Sequence, residues 1–298
     1  MNRSAIVVGS GPNGLAAAIT LARGGCDVTV LEAESTVGGG VRTSELTLPG
    51  FAHDVCSAIH PMAVASSFFR SLPLEQFGLE WLHAPAPIAH PLDDGAIVLE
   101  RSLDATATAL GADGEAYRDL FGPLVENSDA LLEALLSPPI PPRHPLRLAR
   151  FGYLGVRRAR ALSRKRFRGE PARALFAGLA AHSVISLDAL GSASFALVMG
   201  MLGHAVGWPF PRGGTGAIAT ALGRYLESLG GRIVTGQRVT TWKDLAGPHR
   251  HVRHHATPAR RDRGRPAADW IPSPAREVPV RPRRIQAGLG AARADSVA

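Results

Sequence analysis

The chain has 298 residues, of which 45% are hydrophobic and 19% charged, enough apolar material for a sizeable buried core and too much for wholesale disorder. No apolar run approaches the roughly 20 residues of a membrane-spanning helix, and the two cysteines, Cys26 and Cys56, fit neither a disulfide framework nor a C-x-x-C dithiol or zinc pair. The net charge of +8 hints at nucleic acid, but most of the excess lies in the last 55 residues, which hold 11 Arg against 5 acids. With no reader motif beside that charge, no nucleic-acid partner is expected. The chain leads directly into a strand-like run, so a signal peptide is not expected and the cytosol is the expected compartment.

Ala5-Ile6-Val7-Val8 is a short apolar run ending in Gly9-Ser10-Gly11-Pro12-Asn13-Gly14, which predicts a buried strand, a tight turn and a helix start. Leu15 to Ala22 is Ala-rich and helical, and Gly24-Gly25 closes it. Val28-Thr29-Val30-Leu31 predicts a second strand, parallel to the first through a right-handed crossover. Ala96 to Leu99 predicts a strand after the turn Asp93-Asp94-Gly95. Leu103 to Leu136 reads as mostly helical, with Pro123 as a break. Ser137 to Pro145, with five prolines, predicts a loop. Residues 146–205 read as largely helical, Pro209 to Gly216 as a loop, Ala217 to Leu229 as an amphipathic helix, and Arg232 to Thr235 as a strand.

A Gly-x-Gly-x-x-Gly turn is a weak signal alone. Here a strand precedes it, a helix follows it, and Glu32 ends the second strand 18 residues after Gly14. Gly9 allows the tight turn, Gly11 lets backbone approach a pyrophosphate, and Gly14 lets helix and strand pack closely. Pro12 and Asn13 complete the helix N-terminus, which offers free N–H groups to phosphate. Glu32 can accept hydrogen bonds from ribose hydroxyls, and its charge disfavours a 2′-phosphate. These residues predict nucleotide binding.

Downstream, Leu31-Glu32-Ala33 is followed by Gly38-Gly39-Gly40-Val41-Arg42-Thr43. This pattern resembles the extended fingerprint of FAD-binding flavoproteins of the amine oxidase and phytoene desaturase superfamily. Many members carry Arg directly after the glycine pair; this chain has Gly40 there and keeps Arg42. Pro49-Gly50-Phe51-x-x-Asp54 and Ser57-Ala58-Ile59-His60-Pro61 resemble the next segment of phytoene dehydrogenase-like oxidoreductases, a group that includes the pyridine nucleotide-disulphide oxidoreductase domain 2 proteins. Pro211-Arg212-Gly213-Gly214-x-Gly216, then Leu229-Gly230-Gly231 and Thr235-Gly236-x-x-Val239, resemble their middle motif. The likeness runs over roughly residues 4–245.

The resemblance implies an α/β fold, a Rossmann-like FAD-binding domain with an inserted, largely helical substrate domain. It divides the chain into 1–75 and 209–246 for the FAD domain, 76–208 for the helical substrate region, and 247–298 for an irregular tail. It implies FAD as cofactor, held by Gly9, Gly11, Pro12, Asn13, Gly14, Glu32, Gly38, Gly39, Gly40, Arg42 and the Val239 backbone. It also implies hydride transfer from a C–C or C–N bond of a small lipophilic substrate to the flavin. His53, Asp54 and His60 are the nearest candidates for a catalytic part, although a histidine beside a proline in a buried loop is more often a structural hydrogen-bonder; His182 and His204 lie in apolar helical surroundings. No metal site is expected. The rival function is a non-catalytic nucleotide-binding or membrane-docking fragment.

Residues 143–173 hold 11 Lys or Arg against one acid, Glu170, interleaved with Leu146, Leu148, Phe151, Leu154, Leu162 and Phe167. Such a stretch can dock on an anionic membrane or form a solvated helix face. The composition changes near Ala246. Only two of the 33 basic residues are Lys, as in a G+C-rich gene. One allowed set of codons for Val278 to Gly290, read one base later, spells F-R-Y-G-P-G-A-F-K-L-D-W-A. That string resembles a segment of the same family, so the expectation is a chain truncated by a frameshift, with an out-of-frame tail. A natural basic tail is the alternative.

Overall fold

The computed structural model describes residues 3–137 and 144–245, without the side chains of residues 242 and 243. The tail expected to be out of frame, 247–298, lies outside the described residues, as does most of the proline loop.

β1 (Ser4–Val8), α1 (Pro12–Arg23) and β2 (Asp27–Leu31) form the β-α-β unit that the sequence predicts. The strands are parallel, in register from Ser4–Asp27 to Val8–Leu31. α1 opens on Pro12, whose missing N–H costs nothing in a first turn, and buries Leu15, Ala18 and Ile19 at helical spacing.

A short hairpin follows, β3 (Thr43–Glu45) with β4 (Ala52–Asp54), antiparallel. Two short helices, α2 (Pro61–Ala65) and α3 (Ser67–Arg70), lead to β5 (Trp81–Leu82) and a second hairpin, β6 (Ile88–Leu92) with β7 (Gly95–Leu99). Among the described residues seven helices follow: α4 (Leu103–Ala109), α5 (Gly114–Glu126), α6 (Ser128–Leu136), α7 (Pro145–Gly155), α8 (Ala159–Arg166), α9 (Glu170–Ala181) and α10 (Ser192–Ala205). The chain returns through β8 (Phe210–Pro211), α11 (Gly216–Ser228) and β9 (Arg232–Val234). β9 pairs parallel with β2, giving the sheet order β1-β2-β9.

Two expectations are corrected. Pro123 does not break its helix; it sits inside α5, and the interruptions fall at Gly111–Asp113 and at Asn127. The Asn127 amide donates to the Pro123 carbonyl at 2.9 Å, which closes the helix end. The Pro209 to Gly216 loop contains β8, which pairs with β5. Neither a two-residue strand nor its distant partner has a periodicity to read.

Apolar side chains gather in two clusters. One joins β1, β2 and α1 to α11 through Val7, Leu15, Ile19, Val30, Ile218 and Leu222. The other lies among the helices, around Tyr117, Phe121, Phe167, Phe176 and Met201. Each such buried side chain contributes about 1.5–3 kcal/mol relative to exposure. Within the second cluster Tyr117 Oη and His204 Nε2 are 2.8 Å apart, and His204 Nδ1 lies 3.3 Å from the Arg101 carbonyl. His204 is thus a satisfied core histidine. His182 packs edge-on against Trp208 with Nδ1 on the Gly178 carbonyl.

Candidate dinucleotide site

The end of β1 is held to the end of β2 by the Gly9 N–H, which donates to the Leu31 carbonyl at 2.7 Å. Gly9 has φ +94°, the left-handed region that an L side chain resists. Gly14 is required for another reason: a Cβ there would lie 2.0 Å from the Gly9 carbonyl oxygen. Gly11 differs from both. Its φ is −65°, and a Cβ on it would meet nothing within 4 Å. The turn therefore faces open space at Gly11. The first intrahelical bond runs from Leu15 N–H to the Gly11 carbonyl, so the N–H groups of Asn13 and Gly14 remain free of helical acceptors. Positive dipole, free donors and an open approach coincide at one point, the requirements of an anion cradle.

Glu32 is only 7% exposed. Its Oε2 accepts hydrogen bonds from the Ser10 N–H at 2.8 Å and from the Ser10 hydroxyl, and its Oε1 accepts from the Glu34 N–H at 3.0 Å. Burial alone would push this carboxyl up. The hydrogen bonds from the Ser10 hydroxyl and the backbone of Glu34, Ser10 and Ala33 outweigh it and hold the group below its ordinary value. Glu32 is therefore ionised at neutral pH and braces the glycine turn. A carboxylate oxygen offers two acceptor sites, so Oε1, beside the Glu34 N–H, can also accept from a hydroxyl. Sequence reasoning assigned Glu32 to ribose and missed Ser10; a hydroxyl between two turn glycines is the signal that could have found it.

The second glycine segment packs on the first. Gly38 donates to the Ser10 carbonyl at 3.2 Å, and a Cβ on Gly39 would lie 3.2 Å from Gly11 Cα. Gly40 faces Cys56 and accepts from the Ser57 N–H. Arg42 folds back on this segment, with Nε donating to the Gly39 carbonyl at 3.0 Å and a guanidinium nitrogen 3.8 Å from Glu34. After β9 the chain follows the end of β2, with Gly236 donating to the Glu34 carbonyl and Gln237 to that of Glu32; Val239, two residues on, is half-buried.

The three catalytic candidates separate. Half-buried His53 has the Thr47 hydroxyl 2.8 Å from its Nε2. Asp54 is a bolt: its Oδ1 accepts from the Thr43 hydroxyl at 2.7 Å and from the N–H and hydroxyl of Thr215 at 2.8 and 2.9 Å. Thr43 in turn accepts from the Gly216 N–H. Burial alone would raise the Asp54 carboxyl; the Thr215 and Thr43 hydrogen bonds and then the charge of His60 bring it below its usual range. Asp54 thus ties the β3–β4 hairpin to the start of α11. Gly214 belongs to this junction: it has φ +94°, and a Cβ would lie 2.6 Å from the Thr43 hydroxyl. We expect Asp54→Ala to cost about 1–3 kcal/mol by leaving the buried donors unpaired, read as a lower urea midpoint with the unfolding slope unchanged.

His60 is the remaining candidate. Its N–H donates to the Pro209 carbonyl, its ring packs against Trp81, and its buried Nε2 has no hydrogen-bond partner among the described residues. Burial pushes it below its ordinary value, against the pull of the Asp54 charge and a backbone hydrogen bond to Ser57. It is neutral at neutral pH. From the end of β3 into α2, Leu46, Leu48, Phe51, Val55, Ile59 and Met62 expose apolar surface. Two concavities of about 190 and 450 Å³, lined respectively by residues such as Leu124 and Arg150 and by residues such as Phe68 and Leu136, include no residue of the glycine turn.

Fold and site together define a protein with a Rossmann-like dinucleotide-binding domain, and residues 7–72 match the family model of the NAD(P)-binding Rossmann-like domain. A segment of 38 residues is 60% identical to hydroxyneurosporene desaturase from Cereibacter sphaeroides, covering 13% of this chain and 8% of that protein. This agrees with the resemblance to the phytoene desaturase-like superfamily. An oxidoreductase from Methanosarcina mazei superposes with a TM-score of 0.51 at 18% identity, over 78% of this chain and 51% of its own. Cyclohexylamine oxidase from Brevibacterium oxydans gives 0.48 at 16%, over 80% and 51%. The chain spans about half the length of these solved structures. Among the described residues no helix is long and apolar enough to cross a membrane.

Proposed function

We propose that the chain binds FAD and belongs to an oxidoreductase that oxidises a C–C or C–N single bond of a lipophilic substrate to a double bond, a hydride leaving one atom's C–H bond and a proton the neighbouring atom. The observation that carries this reading is the joint geometry of the Gly9–Gly14 turn and ionised Glu32. The open Gly11 face and the free N–H groups of α1 fit a pyrophosphate, and Oε1 of Glu32 fits a ribose hydroxyl. An ionised carboxylate at that point also repels a 2′-phosphate. Gly38 and Gly39, seated on the turn, close one side of the same cradle.

When bound, the flavin supplies the hydride acceptor. This chain's own residues supply the rest. The exposed apolar side chains from Leu46 to Met62 suit a lipophilic substrate. Neutral His60 keeps a buried Nε2 without a hydrogen-bond partner among the described residues, whereas Nε2 of His53 and Oδ1 of Asp54 are spent on the fold. Asp54 holds the surrounding hairpin in place.

The test is reconstitution of the purified chain with FAD, followed by gel filtration and absorption spectroscopy. Retention of about one flavin per chain, with weaker retention of NADP⁺, is the expected result. A folded, colourless protein that retains no flavin would overturn the reading and favour a non-catalytic fragment.

A further inference from the structure

A second surface lies far along the chain from the glycine turn, where α7, α8 and the turn between α9 and α10 meet. The Arg160 N–H donates to the Leu187 carbonyl, the Gly191 N–H to that of Val156, and the Ala193 N–H to that of Arg157. These bonds fix the 187–193 segment beside the α7–α8 junction, so their outward side chains share one face.

That face is apolar at its tips. Along α7, Leu146 is 85% exposed and Tyr153 67%, seven residues apart and so on one side of the helix; Val156, which follows the helix, is 62% exposed. From the neighbouring turn, Val184 is 93% exposed and Leu190 75%. It is also strongly cationic. Residues 144–191 hold ten Arg or Lys against two acids, Glu170 and Asp188, and Asp188 is engaged by Arg160 at 3.1 Å. Arg158, Arg164, Lys165 and Arg166 are exposed and have no carboxylate within ion-pair distance among the described residues.

We propose that this face docks on an anionic lipid surface, with Tyr153, Val156, Val184 and Leu190 entering the headgroup layer and the α8 cations meeting lipid phosphates. The mixture of groups selects the occupant. Unpaired cations attract any polyanion, but a nucleic-acid backbone offers no place for four protruding apolar side chains. A headgroup layer over acyl chains accepts both. Tyr153 suits that boundary, with an apolar ring and a polar tip, and Arg157 lies 4.5 Å over its ring. The inference is independent of the dinucleotide reading, because no residue of the glycine turn or of the His60 region takes part.

The test is co-sedimentation of the full chain with vesicles of phosphatidylcholine alone or mixed with phosphatidylglycerol. Capture by the anionic vesicles should exceed that by neutral ones at least tenfold and fall steeply as salt is raised. Arg164→Glu and Lys165→Glu, both on an exposed helix face, should each lower anionic capture by at least about fivefold. Val184→Ser with Leu190→Ser should lower it while leaving its salt dependence in place. Circular dichroism keeps folded variants in the comparison, and the single charge reversals serve if the apolar pair disturbs the fold. Equal capture by neutral and anionic vesicles, no capture at all, or undiminished capture of both charge reversals would overturn the proposal. So would a duplex oligonucleotide that binds more tightly than the vesicles and releases the chain from them.

Discussion

Gly11→Val should fold as the parent chain does and lose flavin. The Gly11 backbone is extended, at φ −65° and ψ 168°, which a β-branched residue adopts without strain. A Cβ there meets no atom within 4 Å. The new side chain would instead fill the open face over the N-terminus of α1. A clash of about 3 kcal/mol with the pyrophosphate weakens binding roughly a hundredfold. Gly14→Ala separates fold from site in the opposite direction. Its Cβ would lie 2.0 Å from the Gly9 carbonyl oxygen, a backbone atom that cannot rotate away. The helix must move off the strand, at a cost of about 3 kcal/mol. Urea midpoints and flavin titrations of both variants decide the matter. A Gly11→Val protein that keeps full flavin affinity would place the cofactor elsewhere.

Glu32→Gln should remove both stability and its acid sensitivity. At neutral pH the carboxylate accepts from Ser10 twice and from Glu34 once. An amide brings its own N–H group into that ring of donors and leaves at least one unpaired, a loss of about 1–3 kcal/mol. The native carboxyl lies below its ordinary value of 4.5, so as the pH falls the unfolded chain takes up the proton first. The carboxylate's contribution is therefore complete above about 4.5 and shrinks as the pH falls through the lowered native value. Urea midpoints from pH 7 to pH 3 should converge for parent and variant at the acid end. Parallel curves would mean that Glu32 does not carry the charge the geometry assigns to it. Loss of the Oε1 acceptor should also weaken FAD binding in the variant at neutral pH.

Much of this was legible in the residues because it depends on local pattern. A short continuous apolar run, a turn that only glycine can make and an Ala-rich helical run sit within 32 consecutive residues. Short-range sterics fix β1, α1 and β2 with little help from the rest of the chain. The glycines at 9 and 14 could be assigned roles because backbone geometry leaves no alternative. The same holds for α11 and β9, where an amphipathic helix runs into Gly230-Gly231 and a short apolar strand.

What tertiary structure alone decided concerns pairs far apart in the chain. Asp54 stood in a segment that suggested chemistry, yet its oxygen is occupied by Thr43 and by Thr215, 161 residues away. β8 finds its partner β5 more than a hundred residues upstream. Glu32 turned out to brace Ser10. The open space at Gly11, the orphaned Nε2 of His60 and the shared face of α7, α8 and Leu190 are equally non-local. Side-chain periodicity reports which face of an element is buried, whereas the partner of a single polar atom depends on how elements pack. Local sterics determined the glycine turn and its flanking elements; only the packed chain decided which polar groups are spent on the fold and which remain free for a ligand.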